Sequence, residues 1–275
     1  MELLQCLFVK NRWYRSGATI PMEGIVVHST GANNPDLKRY VQPAAGQTMG
    51  LAVLEPEYEE SSYYGMLAKL GTNTNGNDWN RASQELCVHA WVGRLAGGKV
   101  AAIQSLPWDS FVYGVGAGRN GSYNSSHIQF EICEDTTDAV YTREAYRTAA
   151  ELCAYLCRAF EIPVEKIVSH NEAGRTGYGS RHVDPEHWWS LYGYTMDGFR
   201  QDVQSLLDGE EWEEPPMRYD NLEAMPDWAR PTVEKLVNSG LLNGDGSGLN
   251  LSEDMVRLLV ILDRAGNFER EGAET

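Results

Sequence analysis

The sequence predicts an α/β fold, a mixed central β-sheet flanked by helices, with a small helical module appended after it. Three features predict this: short apolar runs bounded by turn residues, a long segment of helical periodicity at 141–160, and a change of texture near residue 208.

The apolar runs GIVVHST (24–30), ELCVHAWVGRL (85–95), KVAAIQSLP (99–107) and SHIQFEICE (126–134) read as strands. Ala96-Gly97-Gly98 joins the second to the third as a hairpin. YTREAYRTAAELCAYLCRAF carries apolar residues at helical spacing, with Thr142 as its capping candidate, so a long helix should pack on the sheet. A shorter helix is expected over NPDLKRYVQ, with Pro35 in its first turn behind Asn34. Residues 55–80 are polar, Gly- and Asn-rich and poorly periodic, and are expected to form a long surface loop bordering a cleft.

The 275 residues exceed one ordinary domain and fit one of about 200 residues plus an appendage. The acidic, Pro-containing stretch DGEEWEEPP reads as a stiff solvated linker. The expected division is a main domain over 1–207, a linker over 208–218 and a helical module over 219–275. From residue 210 onward, 15 acidic residues stand against 6 basic ones, yet two amphipathic patterns, PDWARPTVEKLVNSG and LSEDMVRLLVILDRAG, argue for folded helices there.

The formal net charge of −16 excludes a nucleic-acid partner, because gripping phosphates needs clustered Lys and Arg. No apolar stretch approaches the roughly 20 residues of a membrane span. MELLQCLFVKNRWYRSG lacks the apolar length and cleavage site of a signal peptide, so synthesis in the cytoplasm without a standard export tag is expected. Five cysteines without close pairing motifs suit reduced thiols.

His28 closes an apolar run, His170 follows another, and Asp184 comes fourteen positions after His170 across a Gly-rich loop. A lone strand-end histidine is ordinarily structural, but two imidazoles and a carboxylate form the donor set of a catalytic zinc site that keeps one position open. His182 lies two residues before Asp184, and in an extended segment the two point the same way.

At these residues the sequence resembles the zinc N-acetylmuramoyl-L-alanine amidases of the type-2 group, which also contains the peptidoglycan-recognition proteins. The matching pieces are GIVVHSTGANNPDLKRYVQP, CVHAWVGRLAGGKVAAIQSLPW, HIQFEICED and VSHNEAGRTGYGSRHVDPEHWW, in the family's order over about residues 20 to 205. The His-x-Asp-Pro-x-His-Trp ending is similar to phage and prophage endolysins of Gram-positive hosts. The resemblance implies a single zinc ion held by His28, His170 and Asp184. It also implies that Glu131 moves protons at the metal water and that His182 stabilises the developing oxyanion. A competing reading makes His182 the ligand and Asp184 its hydrogen-bonding partner. The implied reaction is hydrolysis of the amide between N-acetylmuramic acid and L-alanine, with bacterial peptidoglycan as partner and action on the wall after release during lysis.

Two other readings are a peptidoglycan-binding module without catalysis and an intracellular enzyme recycling muropeptides; the presence of Asp184 and the appended module argue against them. His89, His127 and His187 read as structural, and no substrate-binding residue is assigned among Trp79, Trp91 and Trp108. Relatives often have Trp-His where this chain has Tyr113-Gly114. The segment MPDWARPTVEKLVNSGLLNGDGSGLNLSEDMVRLLVILDRAG resembles one surface-layer-homology-like repeat, implying wall targeting or self-association into a homo-oligomer.

Overall fold

A computed structural model describes residues 1–268 other than 48, 52–58, 211–217, 245 and 247. Its strands are β1 (Leu3–Gln5), β2 (Gly24–Asn33), β3 (Met49–Leu51), β4 (Glu59–Ser61), β5 (Ala90–Arg94), β6 (Val100–Gln104), β7 (His127–Glu134), β8 (Ile167–Ser169), β9 (Arg218–Tyr219) and β10 (Leu251–Ser252). The helices are α1 (Arg12–Ser16), α2 (Tyr63–Leu70), α3 (Ala139–Phe160), α4 (His170–Thr176), α5 (Glu186–Trp189), α6 (Met196–Asp208), α7 (Arg230–Asn238) and α8 (Glu253–Arg264).

Six strands form one sheet in the order β1-β6-β5-β7-β2-β8. Only β5 and β6 run antiparallel; every other neighbouring pair is parallel, so the predicted mixed central sheet is what the chain builds. The antiparallel pair is the Gly-rich hairpin, closed by Gly98 at φ 85°, a value that suits glycine. The crossover containing α3 leads from β7 to β8, which lie parallel on either side of β2.

Alternation along the strands sorts their side chains onto two faces. Ile25 and Val27 of β2, Val92 of β5 and Phe130 of β7 lie in one buried cluster with Tyr146, Ala149, Leu152, Cys153 and Leu156 of α3, which recur at helical spacing. Trp91 and Cys133 belong to a second cluster with Tyr40, Leu37 and Met66. All five cysteines are buried free thiols.

Several expectations are corrected. The cap of α3 is Asp138, whose carboxylate accepts from the Tyr141 N–H, and Thr142 lies inside the helix, donating its hydroxyl back to the Asp138 carbonyl at 2.9 Å. Only a 3-10 turn, Leu37–Arg39, forms within NPDLKRYVQ. Pro35 is not in a first helical turn, because its carbonyl accepts the Arg94 N–H at 2.8 Å and ties the segment extended against β5. Part of the expected loop at 55–80 is helical: Ser62 caps α2, which buries Met66 and Leu70 one turn apart. Residues 52–58, which include the start of that loop, lie outside the described residues. The strand expected over 85–95 begins only at Ala90, since Cys87 and His89 make isolated bonds to the Tyr113 and Gln129 carbonyls instead. β2 runs on to Asn33 past an irregularity after Ser29, so His28 lies within the strand and does not end it.

Most of the expected linker, 211–217, lies outside the described residues. Both expected C-terminal helices form, as α7 and α8, beside the short β9–β10 pair. Their apolar residues Val233, Val256 and Val260, with Tyr219 and Met225, join the same buried cluster as Trp188, Trp189 and Tyr192.

Candidate metal and catalytic site

The site forms where β8 reaches its carboxyl end beside the middle of β2. His28 of β2 stands in register with Glu131 of β7, which in turn stands in register with Trp91 of β5, so the three share one sheet face. His170 opens α4 directly after β8.

That helix start is held by a capping box. Ser169 Oγ accepts from the Glu172 N–H at 2.9 Å while the Glu172 carboxylate accepts the Ser169 N–H at 3.0 Å. Arg200 of α6 donates to both carboxylate oxygens of Glu172, each at 3.0 Å, which fixes the box from outside. The Asn171 N–H bonds the Asp184 carbonyl at 3.2 Å, bringing the Gly-rich loop back to the helix.

The buried residues His28, His170 and Asp184 each present a donor atom, all within 4.8 Å of one another. The two Nδ1 atoms are 3.0 Å apart, and Asp184 Oδ2 lies 3.4 Å from each. Two donors on a tetrahedral zinc at about 2.0 Å each sit roughly 3.3 Å apart, so these separations suit one ion without rearrangement.

The hydrogen-bond partners of the rings strengthen the fit. Asn124 Oδ1 accepts the N–H groups of Gly114 and Val115, both at 3.1 Å, and the Gln129 Nε2 group at 3.0 Å. Gln129 therefore turns its Oε1 to His28 Nε2 at 3.0 Å, and that ring nitrogen must carry the proton. Ser180 Oγ donates to the Val115 carbonyl at 3.1 Å and so receives the Nε2–H of His170 at 3.1 Å. Both Nδ1 atoms are then bare lone pairs facing each other, an arrangement that a cation relieves.

Electrostatics point the same way. Burial raises the Asp184 carboxyl, but the adjoining His170 and His28 overcome it and hold the group well below the usual carboxylate range. Burial pushes His170 down and so favours the neutral ring that ligation needs. Burial, with Asp184 and Glu134 nearby, pushes Glu131 well up, and its enclosed Oε2 has no hydrogen-bond partner among the described residues. A buried carboxyl left without a partner beside a donor triad is an arrangement that calls for a functional or ionic explanation.

His182 is more exposed than the three donors, with 57% of its side chain accessible. Its ring stacks on His170 at 4.2 Å, and its Nδ1 lies 3.4 Å from Asp184 Oδ1, the oxygen that faces away from the triad. All five predicted site residues are thus brought together, with His182 at the mouth.

Sequence reasoning missed Gln129, Asn124 and Ser180. Two of them carried a readable signal: Gln129 lies two residues before Glu131 and Ser180 two before His182, the spacing that keeps side chains on one face. Gly114 is part of the same device, since a Cβ there would lie 2.5 Å from Gln129 Oε1. The departure to Tyr113-Gly114 therefore makes room for the group that orients His28. Gln129→Leu should leave the fold intact and weaken zinc binding about 10- to 100-fold, measured by chelator competition.

Of the other histidines, His89 is buried, with Nε2 on the Ser110 carbonyl at 2.8 Å and Nδ1 accepting the Gln129 N–H at 2.9 Å. Burial lowers its pKa to about 4. His187 pairs with the buried Glu134 at 2.7 Å, which raises its pKa. A raised folded-state value stabilises the fold fully below the unfolded value near 6.5, and this stability is lost as pH rises through the folded value. Thermal melts across that window should show His187→Gln flattening the decline, by at most about 1 kcal/mol given the partial exposure.

Comparison with known proteins gives the site its setting. A curated relative, the N-acetylmuramoyl-L-alanine amidase CwlA of a Bacillus species, is 35% identical over 71 residues, 26% of this chain and 28% of that protein; the chain thus spans under a third of its length. Among solved structures, Staphylococcus aureus hydrolase AmiA with its ligand overlaps at TM-score 0.46 and 20% identity, covering 75% of this chain and 82% of that one. The PlyG catalytic domain overlaps at TM-score 0.47 and 18% identity, covering 78% and 99%. A family model described as N-acetylmuramoyl-L-alanine amidase matches residues 18–187, a span that contains all five site residues and most of the chain, and on that match the chain belongs to the N-acetylmuramoyl-L-alanine amidase family.

Proposed function

We propose that the chain is a zinc-dependent amidase that hydrolyses the bond between N-acetylmuramic acid and L-alanine in bacterial peptidoglycan, in the role of a phage or prophage endolysin. The observation that carries this reading is the donor triad of His28, His170 and Asp184 with the orphaned Glu131 carboxyl beside it, in a chain of this family. A bound zinc ion would supply a Lewis acid that polarises the scissile carbonyl and acidifies water.

The chain's own residues do the rest. The Gln129 and Ser180 hydrogen bonds place a ring proton on each Nε2 and turn the Nδ1 atoms toward one another. Glu131 takes a proton from the attacking water and returns it to the departing L-alanine nitrogen, which is too basic to leave unprotonated. His182, the most exposed of the five, donates to the oxygen on which negative charge develops. We assign residues 219–275 to wall attachment or self-association, an assignment supported by the exposed apolar stripe Met255, Leu258 and Ile261 on α8.

Mass spectrometry of digested peptidoglycan tests the reaction. New L-alanine amino termini with intact glycan are expected. New reducing sugar ends would overturn the reading.

A further inference from the structure

Glu134 closes β7, is 2% exposed, and draws together two stretches of chain that carry metal donors. Its Oε1 accepts the Ser29 hydroxyl at 2.9 Å and pairs with His187 Nε2 at 2.7 Å. Ser29 immediately follows His28, and its backbone N–H donates to Asp184 Oδ2 at 3.4 Å. His187 comes three residues after Asp184, in α5, and its own N–H returns to the Val183 carbonyl at 3.1 Å. One carboxylate oxygen thus joins the strand that holds His28 to the turn that holds Asp184.

A carboxylate is buried at a cost that its partners must offset, and both partners here belong to the surroundings of the triad. The turn that carries Asp184 is also tied to the start of α4. The Asn171 N–H bonds the Asp184 carbonyl at 3.2 Å, and the Ser169 hydroxyl bonds the Glu186 carboxylate at 2.9 Å. Those ties run to the His170 side of the triad, and Glu134 supplies the matching tie on the His28 side. A donor set works only when its atoms are held to within about 0.5 Å of their working places. Asp184 Oδ2, at 3.4 Å from both Nδ1 atoms, needs a hold on each side.

We propose that Glu134 is a positioning residue of the metal site, which by bridging Ser29 and His187 fixes Asp184 beside His28 and so sets the affinity for zinc. The proposal rests on the reading of His28, His170 and Asp184 as zinc donors. A buried ion pair that served the fold alone would contribute to stability and leave metal affinity untouched.

Zinc affinity of the full chain, measured by chelator competition, is the test, with the melting temperature of the metal-free protein recorded beside it. Activity alone would not serve, since Glu134 also raises the Glu131 carboxyl. Glu134→Ala should weaken zinc binding about 10- to 100-fold, the usual cost of removing a group that orients a metal ligand. His187→Ala should weaken it too, and the double variant should bind no more weakly than Glu134→Ala, because the two residues act through one contact. Glu134→Gln keeps an oxygen for both donors at equal size and should recover most of the affinity. It also carries the test if the alanine variant fails to fold, since His187→Ala can then be compared with it. In an Asp184→Ala background, Glu134→Ala should cost nothing further, read at the higher zinc concentrations that a two-donor site requires.

The outcomes separate this proposal from the reading beneath it. Unaltered protein without zinc affinity would sink the donor reading and this proposal with it. Zinc held tightly by the unaltered protein, lost in Asp184→Ala and kept in full by Glu134→Ala and His187→Ala would overturn the positioning role alone, however far the melting temperature falls. A further loss on adding Glu134→Ala to Asp184→Ala would likewise overturn it, since the effect would then not pass through Asp184.

Discussion

Asp184→Ala is expected to bring zinc content from one ion per chain to near zero at micromolar metal, with activity falling in step. Removing a hydrogen-bond partner of a metal ligand typically costs 10- to 100-fold in affinity, so losing a donor itself should cost more than about 100-fold. The variant also leaves two bare Nδ1 atoms facing each other at 3.0 Å with no carboxylate to balance a proton shared between them. His182→Ala is the matched control. Its Nδ1 lies near the outward oxygen of Asp184, so it should keep its zinc and lose rate. Metal analysis by mass spectrometry on both variants decides between the two ligand readings; a His182→Ala protein without zinc would reverse the assignment of Asp184.

Glu131→Gln is expected to retain zinc and lose roughly 10²- to 10⁴-fold in kcat, the usual contribution of a positioned proton carrier. The same substitution should not destabilise the metal-free protein. An amide of equal size removes a carboxyl that burial, Asp184 and Glu134 all disfavour in its charged form. Activity and melting temperature should therefore move independently, with activity collapsing while Tm holds or rises. A fall in Tm alongside the loss of rate would mark Glu131 as a structural residue.

The sheet and its principal helix were legible because burial imposes its period on the sequence. GIVVHST, SHIQFEICE and the segment 141–160 place their apolar residues where β2, β7 and α3 need them. The candidate donors were legible only as a set, two imidazoles and a carboxylate following apolar runs, since neither histidine alone distinguishes a ligand from a structural residue. What could not be read depends on contacts between distant segments. Pro35 is diverted from a helix by a single bond to Arg94, and β1 exists only because β6 offers it a parallel edge. The orientation of Gln129 follows from Asn124, which follows from two backbone N–H groups in yet another loop. The Glu134 bridge escaped for the same reason, as Glu134 stands 105 residues from Ser29 and meets it only through the folded sheet.

The buried cluster that unites Val233, Val256 and Val260 with Trp188 and Tyr192 has a consequence for how such a protein can be rearranged. Trp188 and Tyr192 follow Asp184 within a few residues, so the C-terminal helices brace the stretch of chain that carries the third donor. Cutting at the acidic stretch would uncover that brace, and grafting the helices onto another enzyme would uncover it on both products. Exchange of these helices as a unit is therefore obstructed at this junction. New specificity is more accessible through surface exchanges in place, on the outer face of α8, than through exchange of the segment as a whole.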